Sequence, residues 1–182
     1  MFNDKRSKKI IVLAHCLLNQ NSISDGTADL PAQFTEVIRL LMANDIGIIQ
    51  MPCPEFLCLG LDRQDKQGAG RDLLLENTRI RNLLEKGGNL EILREKAKEI
   101  VFQLEEYIQY GFKIVGIIGV NRSPSCGVET TTKEGNETGG RGVFMEIIEN
   151  ELEKKGINIP MIGSKTSRQA ESVERIKRFI EK

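Results

Sequence analysis

Four cysteines and one histidine carry most of the chemistry in this sequence: Cys16, Cys53, Cys58, Cys126 and His15. Thiolates are nucleophiles and soft metal ligands, whereas a lone imidazole rules out any site built on two histidines. Three of the cysteines follow short apolar runs rich in branched residues. Cys16 comes just after Ile10 to Ala14, Cys53 just after Ile46 to Met51, and Cys126 a few residues beyond Lys113 to Val120. If those runs are parallel strands, their carboxyl ends form the crevice in which open α/β sheets bind ligands, so the three thiols converge. Two thiolates about 4 Å apart repel by roughly 4 kcal/mol at an effective dielectric near 20. Either the thiols stay protonated and idle, or a cation sits among them. Without imidazole, soft thiolates select zinc, copper(I) or an iron-sulfur cluster. On a four-iron cluster, three fixed thiolates leave one iron open.

The neighbours of these cysteines favour rigid geometry. Pro52 and Pro54 flank Cys53, and Ser123-Pro124-Ser125-Cys126-Gly127 combines a fixed φ with a glycine that permits a positive one. Glu55 supplies a carboxylate for acid/base work two residues from Cys53. Ser123 and Ser125 bring hydroxyls that hydrogen-bond a sulfur or a substrate. Cys58, between Leu57 and Leu59, reads as a small buried hydrophobe, with a fourth-ligand role as the alternative. Neighbouring strand residues face opposite ways, which makes His15 structural. Asn19 and Asp25 either reach the crevice or cap their loop. Gly139-Gly140-Arg141-Gly142, just before a helix, is either an anion cradle or a flexible loop.

The elements that position these residues alternate. A weaker fourth run, Ile157 to Ile162, contains Pro160 and reads as an edge strand. Between the runs lie helical stripes at Phe34 to Leu41, Asp72 to Leu84, Leu90 to Ile108, Phe144 to Leu152 and Val173 to Ile180. Pro31 suits the first turn of the first of these, and Gly111 closes the third. The pattern predicts one α/β domain over residues 1–182: an open, mainly parallel sheet of about four strands with helices on both faces, Rossmann-like or flavodoxin-like. A strand order of 2-1-3-4 places the switch point between the first and third strands. The polar stretches Gly60 to Arg71 and Thr130 to Gly142 are long enough to be lids.

Composition narrows the partners. The 182 residues hold 26 Lys plus Arg and 26 Asp plus Glu, a net charge of zero that argues against nucleic acid and anionic membranes. Aromatics are 5% with no Trp, so a base-stacking surface is not expected. No run approaches the ~20 apolar residues of a membrane span, and the five after Lys5, Arg6, Lys8 and Lys9 are too few for a signal peptide. The expectation is a cytoplasmic protein with reduced or metal-bound thiols, and a homodimer is the ordinary prior.

At Cys16-Leu17-Leu18, Asp25-Gly26, Pro52-Cys53-Pro54-Glu55 and Ser123-Pro124-Ser125-Cys126-Gly127 the sequence resembles the thiouracil desulfurase family and its desulfidase relatives. The order and spacing of these pieces agree along nearly the whole chain. The resemblance implies an open α/β fold, a [4Fe-4S] cluster on Cys16, Cys53 and Cys126, and non-redox removal of sulfur as sulfide from a small thiolated substrate. It also implies Glu55 as acid/base and Ser123 or Ser125 as substrate contacts. Family members carry Gly after the Cys-Leu-Leu motif and Arg-Tyr before Asp-Gly, where this chain has Asn19, Ile23 and Ser24. The ligand set is retained and the pocket altered, which places the chain nearer the relatives than the thiouracil enzyme itself. Two other readings stand beside it: a hydrolase or transferase with Cys126 as nucleophile, and a non-catalytic iron-sulfur sensor or carrier closed by Cys58.

Overall fold

The computed structural model describes residues 2–182. Four parallel strands, β1 (Lys9–Leu13), β2 (Gly47–Gln50), β3 (Lys113–Val120) and β6 (Met161–Ser164), form a sheet in the order β2-β1-β3-β6. This is the open α/β architecture and the strand order expected from sequence. β1 and β3 lie at its centre, and Ile11, Val12, Leu13, Ile117 and Ile118 are fully buried. Being covered on both faces explains why these two strands read as continuous apolar runs.

Among the described residues, seven α-helices surround the sheet: α1 (His15–Leu18), α2 (Thr35–Ala43), α3 (Pro54–Leu59), α4 (Leu73–Leu84), α5 (Gly88–Gln109), α6 (Val143–Lys154) and α7 (Gln169–Ile180). α2 packs on α7, while α5 packs on α6 and β3. Asp72 caps α4 by accepting from the amides of Leu74 and Leu75, and Gly111 takes a left-handed φ of 78° just past α5.

Several expectations are corrected. The fourth strand begins after Pro160, because a residue without an N–H cannot donate to the ladder; its carbonyl instead accepts from Ile117. α2 begins at Thr35, so Pro31 lies outside its first turn. The stretch Thr130 to Gly142 is no simple lid. It holds an antiparallel hairpin of β4 (Thr130–Lys133) and β5 (Asn136–Gly139), and α4 holds it through Asn77 on Thr132 and Arg81 on Thr131.

The end of β3 fixes the segment that follows it. Val120 N–H donates to the Cys126 carbonyl, and the Asn121 side-chain oxygen accepts from the amides of Val128, Glu129 and Thr130. The chain folds back so closely that a methyl group at Gly119 would run into the Cys126 carbonyl oxygen and the Val128 side chain. Gly119→Ala is therefore expected to lower the unfolding free energy by about 1–3 kcal/mol, the range for overpacked sites. Urea denaturation checks this, and an unchanged midpoint would contradict the close approach.

Candidate functional site

The strand order reverses between β1 and β3, and the loops leaving those strands diverge around a cavity, as at other α/β switch points. Its walls include His15, Cys16, Cys53, Glu55, Ser123, Ser125 and Cys126. The three predicted ligands, the predicted carboxylate and both predicted hydroxyls thus meet in one place. The cavity opens to solvent and has a volume of about 90 Å³, room for a few waters or a comparably small body.

Each cysteine is presented by local structure. Cys16 lies in the single turn of α1, immediately after β1. This placement corrects the strand-face argument for His15, because the chain is helical there and both residues line the cavity. The His15 ring is held through Nδ1, 3.2 Å from the Met51 carbonyl. Cys53 is the N-cap of α3, its sulfur accepting from the Phe56 amide at 3.5 Å. Pro54 sits in the first turn of that short helix. Cys126 sits in the Ser123 to Gly127 turn, whose Pro124 and Ser125 carbonyls accept from the first amides of α6. Gly142 packs so tightly on this turn that a Cβ there would stand 2.5 Å from the Ser125 carbonyl carbon. The amides of Gly140 and Gly142 donate to the carbonyls of Glu129 and Gly127, and the first amides of α6 donate to the cysteine turn, which leaves the anion-cradle reading without the helix-start donors it needs.

Glu55 is only 7% exposed. Its Oε1 accepts from Ser125 Oγ at 2.6 Å, and its Oε2 from Ser24 Oγ and Arg63 Nε, both at 3.1 Å. Ser123 Oγ accepts from the amides of Ser125 and Cys126 and lies 3.2 Å from Ser125 Oγ. With Ser125 giving its proton to the carboxylate, the Ser123 hydroxyl is left to donate to Ser125. The hydroxyls then form a directed chain ending on Glu55.

Burial dominates the thiols. It pushes Cys16 up to about 12, with the charges of Cys53 and Glu55 adding to the rise. Cys53 goes to about 11 for the same first reason, with Glu55 adding. Cys126 is driven well above the ordinary thiol range by burial and then by Cys16 and Cys53. Arg63 opposes the rise at Cys16 and Cys53. The Cys53 charge acts on Cys16, and both act on Cys126. Cys58 does not belong with them: burial alone raises it, and its thiol faces the Asn89 carbonyl at 3.8 Å, away from the cavity. The fourth-ligand alternative loses its geometric basis.

Among the described residues, no three His, Cys, Asp or Glu side chains close up as they must around a single metal ion. Three soft thiols on one cavity wall are the donor set that thiophilic metals and iron-sulfur clusters take.

Asn19 turns back to accept from the Asn21 amide, and neither it nor Asp25 lines the cavity. Sequence reasoning missed Arg63, Arg122, Lys165 and Thr166, all in the wall. Arg63 lies in the stretch set aside as a lid, and no motif marks it. Gly163-Ser164-Lys165-Thr166 lacks the glycine spacing of a phosphate loop, so no motif marks Lys165 or Thr166 either.

No protein-family model matches the chain, and no solved structure matches it. It is 32% identical over 157 residues to the uncharacterized protein MJ0003 of Methanocaldococcus jannaschii, with 86% of each chain covered. The chain belongs to the same family as that protein.

Raised thiol pKa values set the pH dependence of the metal-free chain. The folded state holds these protons more tightly than an unfolded chain with the ordinary value of 9.0, so their contribution is intact below pH 9.0 and lost as pH rises through about 11 and about 12. The urea midpoint is expected to fall across that window, less steeply in the Cys16→Ala/Cys53→Ala double variant. Parallel profiles would contradict the buried-thiol account.

Proposed function

We propose that this family member is a non-redox desulfidase, in which Cys16, Cys53 and Cys126 hold a [4Fe-4S] cluster and a small thiocarbonyl compound loses its sulfur as sulfide. The observation that carries the reading is the meeting of three thiols with an ion-paired, hydrogen-bonded carboxylate in one small cavity at the switch point. The motif resemblance to thiouracil desulfurases supports it from an independent direction. The reaction consumes one water and releases one hydrogen sulfide, replacing C=S by C=O.

A [4Fe-4S] cluster held by Cys16, Cys53 and Cys126 would supply Lewis acidity toward a soft sulfur atom. The chain's own groups do the rest. Glu55 is the base for the attacking water, because it is the carboxylate in the cavity wall whose position is fixed from three sides. Ser125 locks its Oε1, and Ser123 and Ser125 conduct a proton between substrate and carboxylate. The small cavity restricts the substrate to a small molecule.

The Cys126-nucleophile reading fares less well. Its thiol is buried, and its hydrogen-bond partner is Ser125 Oγ at 3.6 Å rather than an imidazole. A nucleophilic thiol needs the anion, which this environment opposes.

Sulfide release from a panel of thiolated heterocycles and thioamides, measured anaerobically with the iron-loaded protein, tests the proposal. Glu55→Gln is expected to retain iron and lose about 10²-fold or more of kcat, the scale of general-base catalysis. Full turnover in Glu55→Gln would remove the base role, and no sulfide from any compound would remove the desulfidase reading. Cys58→Ala is expected to load iron and turn over as the wild type does.

A further inference from the structure

We infer that Arg63 is the positioning residue of this site: its guanidinium ties the Glu55 carboxylate to the Cys53 sulfur in one rigid frame and places a buried positive charge beside the thiols. The inference rests on the proposed desulfidase reading and goes beyond the residues that reading names.

Arg63 is 2% exposed, although it lies in an irregular segment between α3 and α4. A guanidinium has five N–H donors, and here all five are engaged. Nε donates to Glu55 Oε2 at 3.1 Å. Nη1 donates to the carbonyls of Gly60 and Leu61 at 3.0 and 3.1 Å. Nη2 donates to the Ser22 carbonyl at 2.5 Å and faces Cys53 Sγ at 3.8 Å. One side chain therefore joins the loop after α1, the cap and first turn of α3, and its own loop.

The backbone is bent to permit this. Arg63 and Gln64 hold φ values of 55° and 61°, a left-handed conformation that non-glycine residues keep only where the surroundings enforce it. Arg79 on α4 braces the bend by donating to the Arg63 carbonyl at 2.8 Å. Among the described residues, Arg63 is the cationic side chain that touches a ligand sulfur. Lys165, also in the wall, is paired with Glu137 instead. A lysine at position 63 would keep the charge and lose the fork, since one ammonium cannot serve a carboxylate, three carbonyls and a sulfur from a single point.

Charge and geometry are thus separable. Wild type, Arg63→Lys and Arg63→Gln are loaded anaerobically with iron and sulfide, then compared for iron content, reduction potential, and kcat and KM of sulfide release. Arg63→Lys should load iron with a potential close to the wild type's and lose at least about tenfold in kcat with little change in KM, because Glu55 is no longer aimed. Arg63→Gln should show the same loss of kcat and also a lower potential, since removing a positive charge and a hydrogen-bond donor from beside a sulfur makes reduction harder. If Arg63→Gln does not fold, the Arg63→Lys result still decides. Wild-type kcat in Arg63→Lys, or an unshifted potential in a folded, loaded Arg63→Gln, overturns the inference and leaves the desulfidase reading standing. A wild-type chain that takes up no iron overturns both.

Discussion

Three thiols and the Glu55 carboxylate packed around one small cavity create an electrostatic problem that the surrounding structure answers. Burial disfavours the thiolates, and the neighbouring negative charges add to it. The chain keeps the group by binding it firmly. Cys126 hangs from a turn whose carbonyls receive the first amides of α6, Cys53 caps α3, and Cys16 rides on the single turn that ends β1. Such positions resist movement apart, so the strain of bringing the thiols together falls on their protonation rather than on the backbone. A cation among them relieves both burial and repulsion, which is the physical basis for reading the group as a ligand set.

Glu55 shows the same economy. Its two oxygens are held by Ser24, Ser125 and Arg63, which come from three separate segments. The carboxylate therefore reports on the mutual placement of the loop after β1, the loop after α3 and the turn after β3. A site assembled in this way is sensitive to the residues that hold Glu55, because a small rotation of one segment removes a hydrogen bond from its carboxylate.

The sheet and its order were legible because β1 and β3 are covered on both faces and so appear as unbroken apolar runs. Cys16, Cys53 and Cys126 could then be brought together from chain order alone. The sequence misled where local signals were ambiguous. Pro160 looked like an interruption within a strand and instead precedes one, while the polar Thr130 to Gly139 segment hid a hairpin whose partners are α4 side chains remote in sequence. The strand-face argument for His15 failed because an apolar run gave no sign that the chain turns helical just past Ala14. Arg63 left no trace at all. Its role depends on a left-handed backbone and on contacts to Ser22, Cys53 and Glu55 that no periodicity encodes.

The central claim is that these thiols carry a cluster. The direct measurement is iron and acid-labile sulfide per chain in protein purified and reconstituted without oxygen, with Cys126→Ala alongside the wild type. About four of each in the wild type, lost in the variant, is the predicted result. No iron in either after reconstitution would contradict the account.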